Sequence, residues 1–111
     1  MLDVAEKLMK CGALELDPET RVLSGPRGQV RLAPAAYAIS ERLMRRPGAV
    51  IETGSLISAV WPDPDQEPEN ADYILKNEIK RIRGFLALAG CQNVSIRCER
   101  TIGYYIERRG Q

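Results

Sequence analysis

The sequence predicts an α+β fold with an N-terminal antiparallel β-meander, three helices and a C-terminal β-hairpin. Three observations support this fold class. Strand-like runs separated by turn residues occupy residues 14–32, apolar residues recur at helical spacing between residues 34 and 86, and apolar and polar residues alternate over residues 94–106. The 111 residues, of which 44% are apolar, are enough for one domain with a single core.

The composition disfavours an enzyme and a metalloprotein. The chain contains no histidine, the commonest general acid or base, and it has neither a glycine-rich phosphate loop nor a Gly-x-Ser-x-Gly elbow. Its cysteines, Cys11, Cys91 and Cys98, lack the pair spacing of a metal site. We therefore expect reduced thiols, no disulfide framework, no metal, no cofactor and no enzymatic activity.

The distribution of charge is more informative than the net charge of +1. Residues 1–72 contain eight Lys/Arg and twelve Asp/Glu, whereas residues 73–111 contain eight Lys/Arg and three Asp/Glu. Such an asymmetry is typical of a protein with one positive surface. The sequence also has no apolar run of membrane-spanning length and no export signal, so we expect a cytoplasmic protein that does not enter a membrane.

The N-terminal residues 1–12 are expected to form a tail or a short helix, and residues 13–107 are expected to form the domain. A helix is suggested because several apolar residues of the first segment have helical spacing. These residues are Leu2, Ala5, Leu8 and Met9.

The domain begins with three strand-like runs, at residues 14–16, 21–23 and 29–32. Residues 17–20 and 24–28 separate these runs and contain Pro, Asp and Gly, which favour turns because of their backbone preferences. The pattern predicts a three-stranded antiparallel meander.

Two helices are predicted next. Pro34 suits the first turn of a helix that ends before a Pro-Gly pair, and a brief extended run follows at residues 49–51. A second helix contains Leu56 and ends at Pro62. Residues 62–69 are rich in proline and acidic residues, so they are expected to form an exposed loop.

The third predicted helix, residues 70–86, has Asn70 as its candidate N-cap and two contrasting sides. The apolar side is a narrow stripe of Leu75, Ile79, Ile82 and Leu86. The outward side offers amide and guanidinium groups, which form bidentate hydrogen bonds with base edges, and lysine, which neutralises phosphate. A solvated amphipathic helix is the alternative interpretation. The outward residues are Tyr73, Asn77, Lys80, Arg81 and Gly84.

The end of the chain predicts a β-hairpin, because residues 94–98 and 102–106 alternate between apolar and polar side chains around a tip that carries Arg100. A short helix, a loop, a basic helix and a hairpin in this order form a winged helix-turn-helix. In that fold the third helix enters the major groove and the hairpin lies against the neighbouring minor groove or the backbone.

Five segments resemble motifs of the OmpR/PhoB-type winged-helix family, the DNA-binding half of many response regulators, and their order and spacing agree with that family from about residue 14 to residue 106. The segments are residues 32–34 (Leu-Ala-Pro, for Leu-Thr-Pro), 46–50 (Arg-Pro-Gly-Ala-Val, for His-Pro-Gly-x-Val), 56–61 (Leu-Ile-Ser-Ala-Val-Trp, for Leu-Leu-x-x-Val-Trp), 81–83 (Arg-Ile-Arg, for Arg-Leu-Arg) and 96–104 (Ile-Arg-Cys-Glu-Arg-Thr-Ile-Gly-Tyr, for Ile-x-Thr-Val-Arg-Gly-x-Gly-Tyr).

The resemblance implies sequence-specific binding of double-stranded DNA by a transcriptional regulator. In the family, the third helix contacts bases and backbone, the wing arginine enters the minor groove, and the tryptophan that ends the second helix contacts phosphate. Core packing is an equal expectation for Trp61, and a salt bridge or phosphate contact is favoured over a base contact for Arg83. The candidate DNA-binding residues are Trp61, Tyr73, Lys76, Asn77, Lys80, Arg81, Arg83, Arg100 and Thr101. Arg108 is expected to add only charge near the DNA backbone.

The sequence departs from the family at three positions. Tyr73 stands where arginine is usual, Glu78 where histidine is common, and Thr101 where the wing has glycine. Residues 1–13 are also too few to form the receiver domain of the family. The chain is therefore expected to be either a free-standing regulator of host or phage type or a part of a longer protein.

A protein–protein interaction module, which would dock through residues 62–69 or through the N-terminal segment, is the alternative function. In the family the loop between the second and third helices touches RNA polymerase, which implies RNA polymerase or another regulator as a partner of residues 62–69. The free domain is expected to be a monomer, since one core accounts for the apolar residues. Two copies on adjacent half-sites would be held together mostly by DNA.

Overall fold

Three helices and two antiparallel sheets form the protein in the computed structural model, which describes residues 8–109. The first sheet has the strand order β1-β2-β3-β4, and the second has the order β5-β7-β6. This architecture confirms the predicted α+β winged helix-turn-helix. The elements in chain order are β1 (Met9–Cys11), β2 (Leu14–Leu16), β3 (Val22–Gly25), β4 (Gly28–Arg31), α1 (Pro34–Arg45), β5 (Ile51–Glu52), α2 (Thr53–Val60), a 3₁₀ turn (Pro64–Gln66), α3 (Ala71–Leu88), β6 (Val94–Glu99) and β7 (Gly103–Arg108).

The N-terminal sheet has four strands, where the sequence predicted three. β1 pairs with β2 in the register Cys11 opposite Leu14, so the expected tail or helix is wrong for Met9–Cys11. Cys11 is buried and Lys10 is exposed, which is the alternation of a strand. Three residues are too few for helical and strand periodicity to be told apart. The predicted helical positions Leu2 and Ala5 lie outside the described residues.

α1 and α2 form where the spacing of apolar residues predicted helices. Pro34 occupies the first turn of α1, where its missing N–H group costs no hydrogen bond. In α2, Leu56 and Ile57 are buried, and Trp61 follows the last helical residue. The two helices pack against each other, and both contact α3.

α3 buries the predicted apolar stripe. Leu75, Ile79, Ile82 and Leu86 are each at most 3% exposed. Asn70 does lie at the N-cap position, but within the described chain its side chain makes no capping hydrogen bond, so that part of the expectation is wrong.

The C-terminal end of α3 is closed by backbone hydrogen bonds around a glycine. The N–H groups of Gly90 and Cys91 donate to the carbonyls of Ala87 and Leu86 at 3.2 and 3.0 Å. Gly90 has φ of 78°, which glycine adopts at little cost. This arrangement is a Schellman cap, and it turns the chain toward β6.

The predicted hairpin is part of a three-stranded sheet. β6 and β7 pair from Val94 opposite Arg108 to Glu99 opposite Gly103, and β5 adds a short strand on the far side of β7. A Cβ atom at Gly103 would lie 1.9 Å from the carbonyl oxygen of Ile51. Only glycine therefore permits this approach of β5 to the hairpin.

One core connects the sheets and the helices. The three cysteines, all within residues 8–109, are free thiols. Cys11 and Cys91 are buried, and burial raises the pKa of both thiols, so they stay protonated near neutral pH. The largest fully buried side chains are Leu14, Leu16, Leu23, Leu32, Ile39, Leu43, Leu56, Leu75, Ile79 and Ile82.

Across residues 8–109, none of the helices combines the length and apolar character needed to cross a bilayer.

Replacement of Ile82 by alanine tests the assignment of the buried side of α3. We expect Ile82→Ala to lower the free energy of unfolding by roughly 2–5 kcal/mol, because truncating a buried isoleucine removes contacts and leaves a cavity. Urea unfolding followed by circular dichroism measures this change. Lys80→Ala, at an exposed position of the same helix, is the control and should change stability by about 0.5 kcal/mol or less. Equal effects of the two variants would contradict the assignment.

Candidate nucleic-acid interface

Burial of the apolar stripe determines which residues of α3 face solvent. Because a helix is rigid, burying one side places the opposite side in solvent. Tyr73 is 64% exposed, and the other predicted outward residues are exposed as well. Glu78, by contrast, is half-buried at the edge of this surface. We define the exposed surface of α3 as Tyr73, Lys76, Asn77, Lys80, Arg81 and Gly84; Asp72, Arg83, Ala87 and Leu88 of this helix are exposed as well.

The wing turn, Arg100 to Ile102, connects β6 to β7 and is exposed. The N–H of Ile102 donates to the carbonyl of Glu99 at 2.9 Å and closes the turn. The carbonyl of Ile102 in turn accepts a hydrogen bond from the N–H of Thr53 at 3.1 Å. The start of α2 therefore holds the wing turn in place.

A cleft of about 370 Å³ lies between the first turns of α3 and the wing. Lys76 lines it from the helix, and Arg100 lines it from the wing. Asp72 and Glu99 also line it, so two carboxylates accompany these cations. The cleft brings candidate residues from two separate parts of the sequence onto one side of the molecule.

Of the salt bridge or phosphate contact expected for Arg83, no salt bridge forms within residues 8–109. Its Nε and Nη2 atoms instead donate to the backbone carbonyl of Ile96 in β6, at 3.1 and 2.8 Å. These are charge-assisted hydrogen bonds to a partly buried acceptor. Arg83 is thus an exposed residue whose side chain is held against β6 by these bonds.

Trp61 lies at the end of α2, where its backbone N–H donates to the carbonyl of Ile57 at 2.8 Å. The side chain is half-buried and packs against the core, which confirms the structural half of its prediction. A contact of Trp61 with DNA stays a prediction.

Tyr104 lies under the wing, and burial raises the pKa of its phenol. The nearby Cys98 thiol raises this pKa further, while the Arg83 guanidinium opposes the increase. The phenol is therefore neutral near physiological pH, and it adds no negative charge beneath the wing.

Arg108 lies apart from the exposed surface of α3. It pairs with Val94 at the end of the hairpin opposite the wing turn. Its side chain packs over Gly12, where an added Cβ would lie 3.0 Å from the Cδ atom of Arg108. Arg108 is thus not brought together with Lys80 and Arg81.

The loop between α2 and α3 is exposed and acidic, as predicted. The side chain of Asp63 accepts a hydrogen bond from the N–H of Asp65 at 3.0 Å and starts the 3₁₀ turn. Residues 62–67 are all exposed. Charged side chains of this loop are Asp63, Asp65, Glu67 and Glu69.

Comparison with protein families decides the classification. Residues 27–106 match the family described as "Transcriptional regulatory protein, C terminal". The chain belongs to this family. The match confirms the OmpR/PhoB-type resemblance found in the sequence motifs, and it assigns the chain to a family of regulators rather than of enzymes.

Individual relatives agree with this assignment. The chain is 31% identical over 105 residues to the phosphate regulon transcriptional regulatory protein PhoB of Rhizobium meliloti (strain 1021). The aligned region covers 95% of this chain and 44% of that protein. The chain spans about half the length of the curated relatives that it matches.

Solved structures show the same fold. The DNA-binding domain of CpxR from E. coli superposes with a TM-score of 0.75 at 17% identity, over 93% of this chain and 98% of that one. The Klebsiella pneumoniae RstA DNA-binding domain, solved in complex with the RstA box, has a TM-score of 0.72 at 21% identity, over 91% and 97% of the two chains.

Sequence reasoning missed three residues of this regulator's candidate interface. Thr53 anchors the wing turn, and Asp72 and Glu99 line the cleft. Asp72 has a signal in the sequence, since acidic residues are favoured in the first turn of a helix. The Thr53 contact joins residues 49 positions apart and has no local signal.

Thr101 has φ of 66°, in the left-handed region where the regulator family has glycine. A β-branched side chain is disfavoured there because its Cβ approaches the following carbonyl. We expect Thr101→Gly to raise the free energy of unfolding by about 1 kcal/mol, because glycine removes the backbone strain at this position. The greater chain entropy of glycine in the unfolded state offsets part of this gain. Chemical denaturation provides the measurement.

Glu99→Gly is the control for this substitution, because Glu99 lies in β6 outside the left-handed region. It should lower stability by about 0.5–1 kcal/mol, as glycine does in a strand. A loss of stability in Thr101→Gly as well would contradict the assigned strain.

Proposed function

We propose that this chain binds double-stranded DNA sequence-specifically as a transcriptional regulator, with α3 in the major groove and the wing against the minor groove. The carrying observation is that Lys76 of α3 and Arg100 of the wing line one cleft. Lys80 and Arg81 are exposed further along the same helix. Family membership supports the proposal, as does the solved complex of the RstA domain with its DNA box.

In the major groove, Asn77 and Arg81 are the residues proposed to read bases. Both are exposed, and their side chains can form bidentate hydrogen bonds with adenine and guanine, respectively. Lys76 and Lys80 are proposed to contact phosphates, which orient the domain without reading sequence. Tyr73 offers an exposed ring at the start of the helix for contact with the DNA backbone.

At the wing, Arg100 is proposed to enter the minor groove. A narrow A·T-rich minor groove has an enhanced negative potential that attracts arginine. The hydroxyl of Thr101 and the indole N–H of Trp61 can donate to phosphates on either side of that groove. Arg83 keeps unused N–H groups for a phosphate contact after its bonds to Ile96.

A second proposal concerns residues 62–69, which carry four carboxylates and no Lys or Arg. Their exposure and charge fit a basic protein surface, and we propose RNA polymerase or another regulator as the partner. An interaction module that uses this loop without DNA binding is the alternative to the main proposal.

We also propose that the free domain is a cytoplasmic monomer and that DNA brings two copies together. Within residues 8–109, the large exposed apolar residues lie in the loop before β5, near the two opposite ends of α3 and in the wing turn, so they do not form one stripe. Adjacent half-sites one helical turn apart would hold both copies on one face of the duplex. The large exposed apolar residues are Val50, Tyr73, Leu88 and Ile102.

Selection of bound duplexes from a random pool tests the docking. We expect Asn77→Ala and Arg81→Ala each to flatten the preference at one core base pair, a change of about 1–3 kcal/mol in discrimination. Arg100→Ala should remove an A·T preference at the flank and leave the core preference in place, since it contacts a different groove. Weaker binding without any change of base preference would contradict the docking.

The salt dependence of binding to random duplex separates DNA binding from the interaction module. We expect affinity to fall steeply as salt rises, because bound phosphates release counterions. Lys80→Ala should reduce the slope of log K against log[salt] by about one unit. Arg108→Ala removes the same charge at the far end of the hairpin and should leave the slope nearly unchanged. A flat salt dependence of the parent would favour the interaction module.

A further inference from the structure

We propose that Arg83 is a positioning residue that holds the wing at a set distance from α3, and so determines the spacing at which one duplex can contact both. This inference rests on the proposed DNA docking. It concerns the position of the wing relative to α3. A DNA contact made by either element alone does not specify that position.

The first support is the hydrogen bonding of Arg83. Nε and Nη2 both donate to the carbonyl oxygen of Ile96, at 3.1 and 2.8 Å. Two donors from one planar group define the direction of the acceptor as well as its distance. β6 is the edge strand of the β5-β7-β6 sheet, so Arg83 attaches the hairpin to α3 along that edge.

The second support is the incomplete packing beside this contact. A cleft of about 210 Å³ lies between the end of α3 and the start of β6, and it is lined by Leu86, Ala87, Val94 and Arg83 among others. The opposite side of the hairpin is held by two paired residues of β5, by Thr53 and by the N–H of Gly48, which donates to the carbonyl of Ile106 at 2.8 Å. Ile96, Tyr104 and Ile106 anchor the inner side of the hairpin in the core. The cleft interrupts the packing between α3 and β6, and Arg83 restrains the tilt of the hairpin there.

The third support is the geometry of the wing. Arg100 lies four residues beyond Ile96, a distance of roughly 13 Å along a strand. A tilt of about 15° at Ile96 moves the tip by roughly 3.4 Å, which is the rise of one base pair. Loss of the Arg83 restraint would thus let the wing reach the minor groove at neighbouring base-pair spacings.

The experiment uses the full chain and duplexes in which an A·T flank is placed at different separations from the selected core sequence. The parent should favour one separation by roughly fivefold or more, the discrimination typical of a single base pair. We expect Arg83→Met to bind neighbouring separations within about twofold of one another while its core base preference is unchanged.

Arg97→Met is the matched control. Arg97 lies on the same strand, is exposed and pairs with Glu107 at 3.3 Å on the other side of the sheet from α3. The substitution removes one positive charge without touching the Arg83 contact, so the spacing preference should stay that of the parent. Equal spacing profiles for Arg83→Met and Arg97→Met would overturn the proposal.

Arg83→Lys separates the effect of the hydrogen-bond geometry from the effect of the positive charge. It also provides the test if Arg83→Met fails to fold. Lysine keeps the charge and loses the two-donor fork, so the spacing preference should broaden while the salt slope is that of the parent. A parent-like spacing preference in Arg83→Lys would overturn the positioning role.

The outcomes also distinguish this inference from the proposed function. A parent chain without any base preference would refute DNA reading itself. A parent with core and flank preferences, whose Arg83 variants keep its spacing preference, would refute the positioning role alone.

Discussion

Burial of the apolar stripe of α3 is the constraint on which the rest of the structure depends. Leu75, Ile79, Ile82 and Leu86 contact the core, and burial of each such side chain contributes roughly 1.5–3 kcal/mol. Because the helix is rigid, their burial determines the rotation of α3 about its axis. Tyr73, Asn77, Lys80 and Arg81 are then exposed on the opposite side. The core of this domain therefore orients the surface that we propose contacts DNA.

The wing depends on a different constraint, which is the close approach of backbones. Gly103 allows β5 to lie against the hairpin, and Thr53, the first residue of α2, holds the carbonyl of Ile102. β5 and α2 are consecutive in the chain, so the start of α2 and the position of the wing turn are linked. Arg83 makes the corresponding connection between the hairpin and α3. The wing is thus positioned by contacts with two helices.

The accuracy of the sequence-based predictions followed the length of each pattern. α3 has a stripe that recurs over three turns, and all four predicted positions are buried. β1 has three residues, and its pairing was missed because so short a segment has no distinguishable period. Asn70 has the right residue type at the right position, yet its side chain does not cap α3 within the described structure. Residue preference describes what a side chain can do, and the local backbone decides whether it does so.

The sequence by itself determined the longer elements and their exposed faces, because periodicity and turn chemistry are properties of neighbouring residues. It indicated the basic surface of α3, the acidic loop at residues 62–69 and Arg100 in the wing turn. Only the tertiary structure decided which donor meets which acceptor. Arg83 reaches Ile96 across 13 positions, and Thr53 reaches Ile102 across 49 positions. Such contacts depend on the relative placement of whole elements, which is set by packing of the entire core and not by any local pattern.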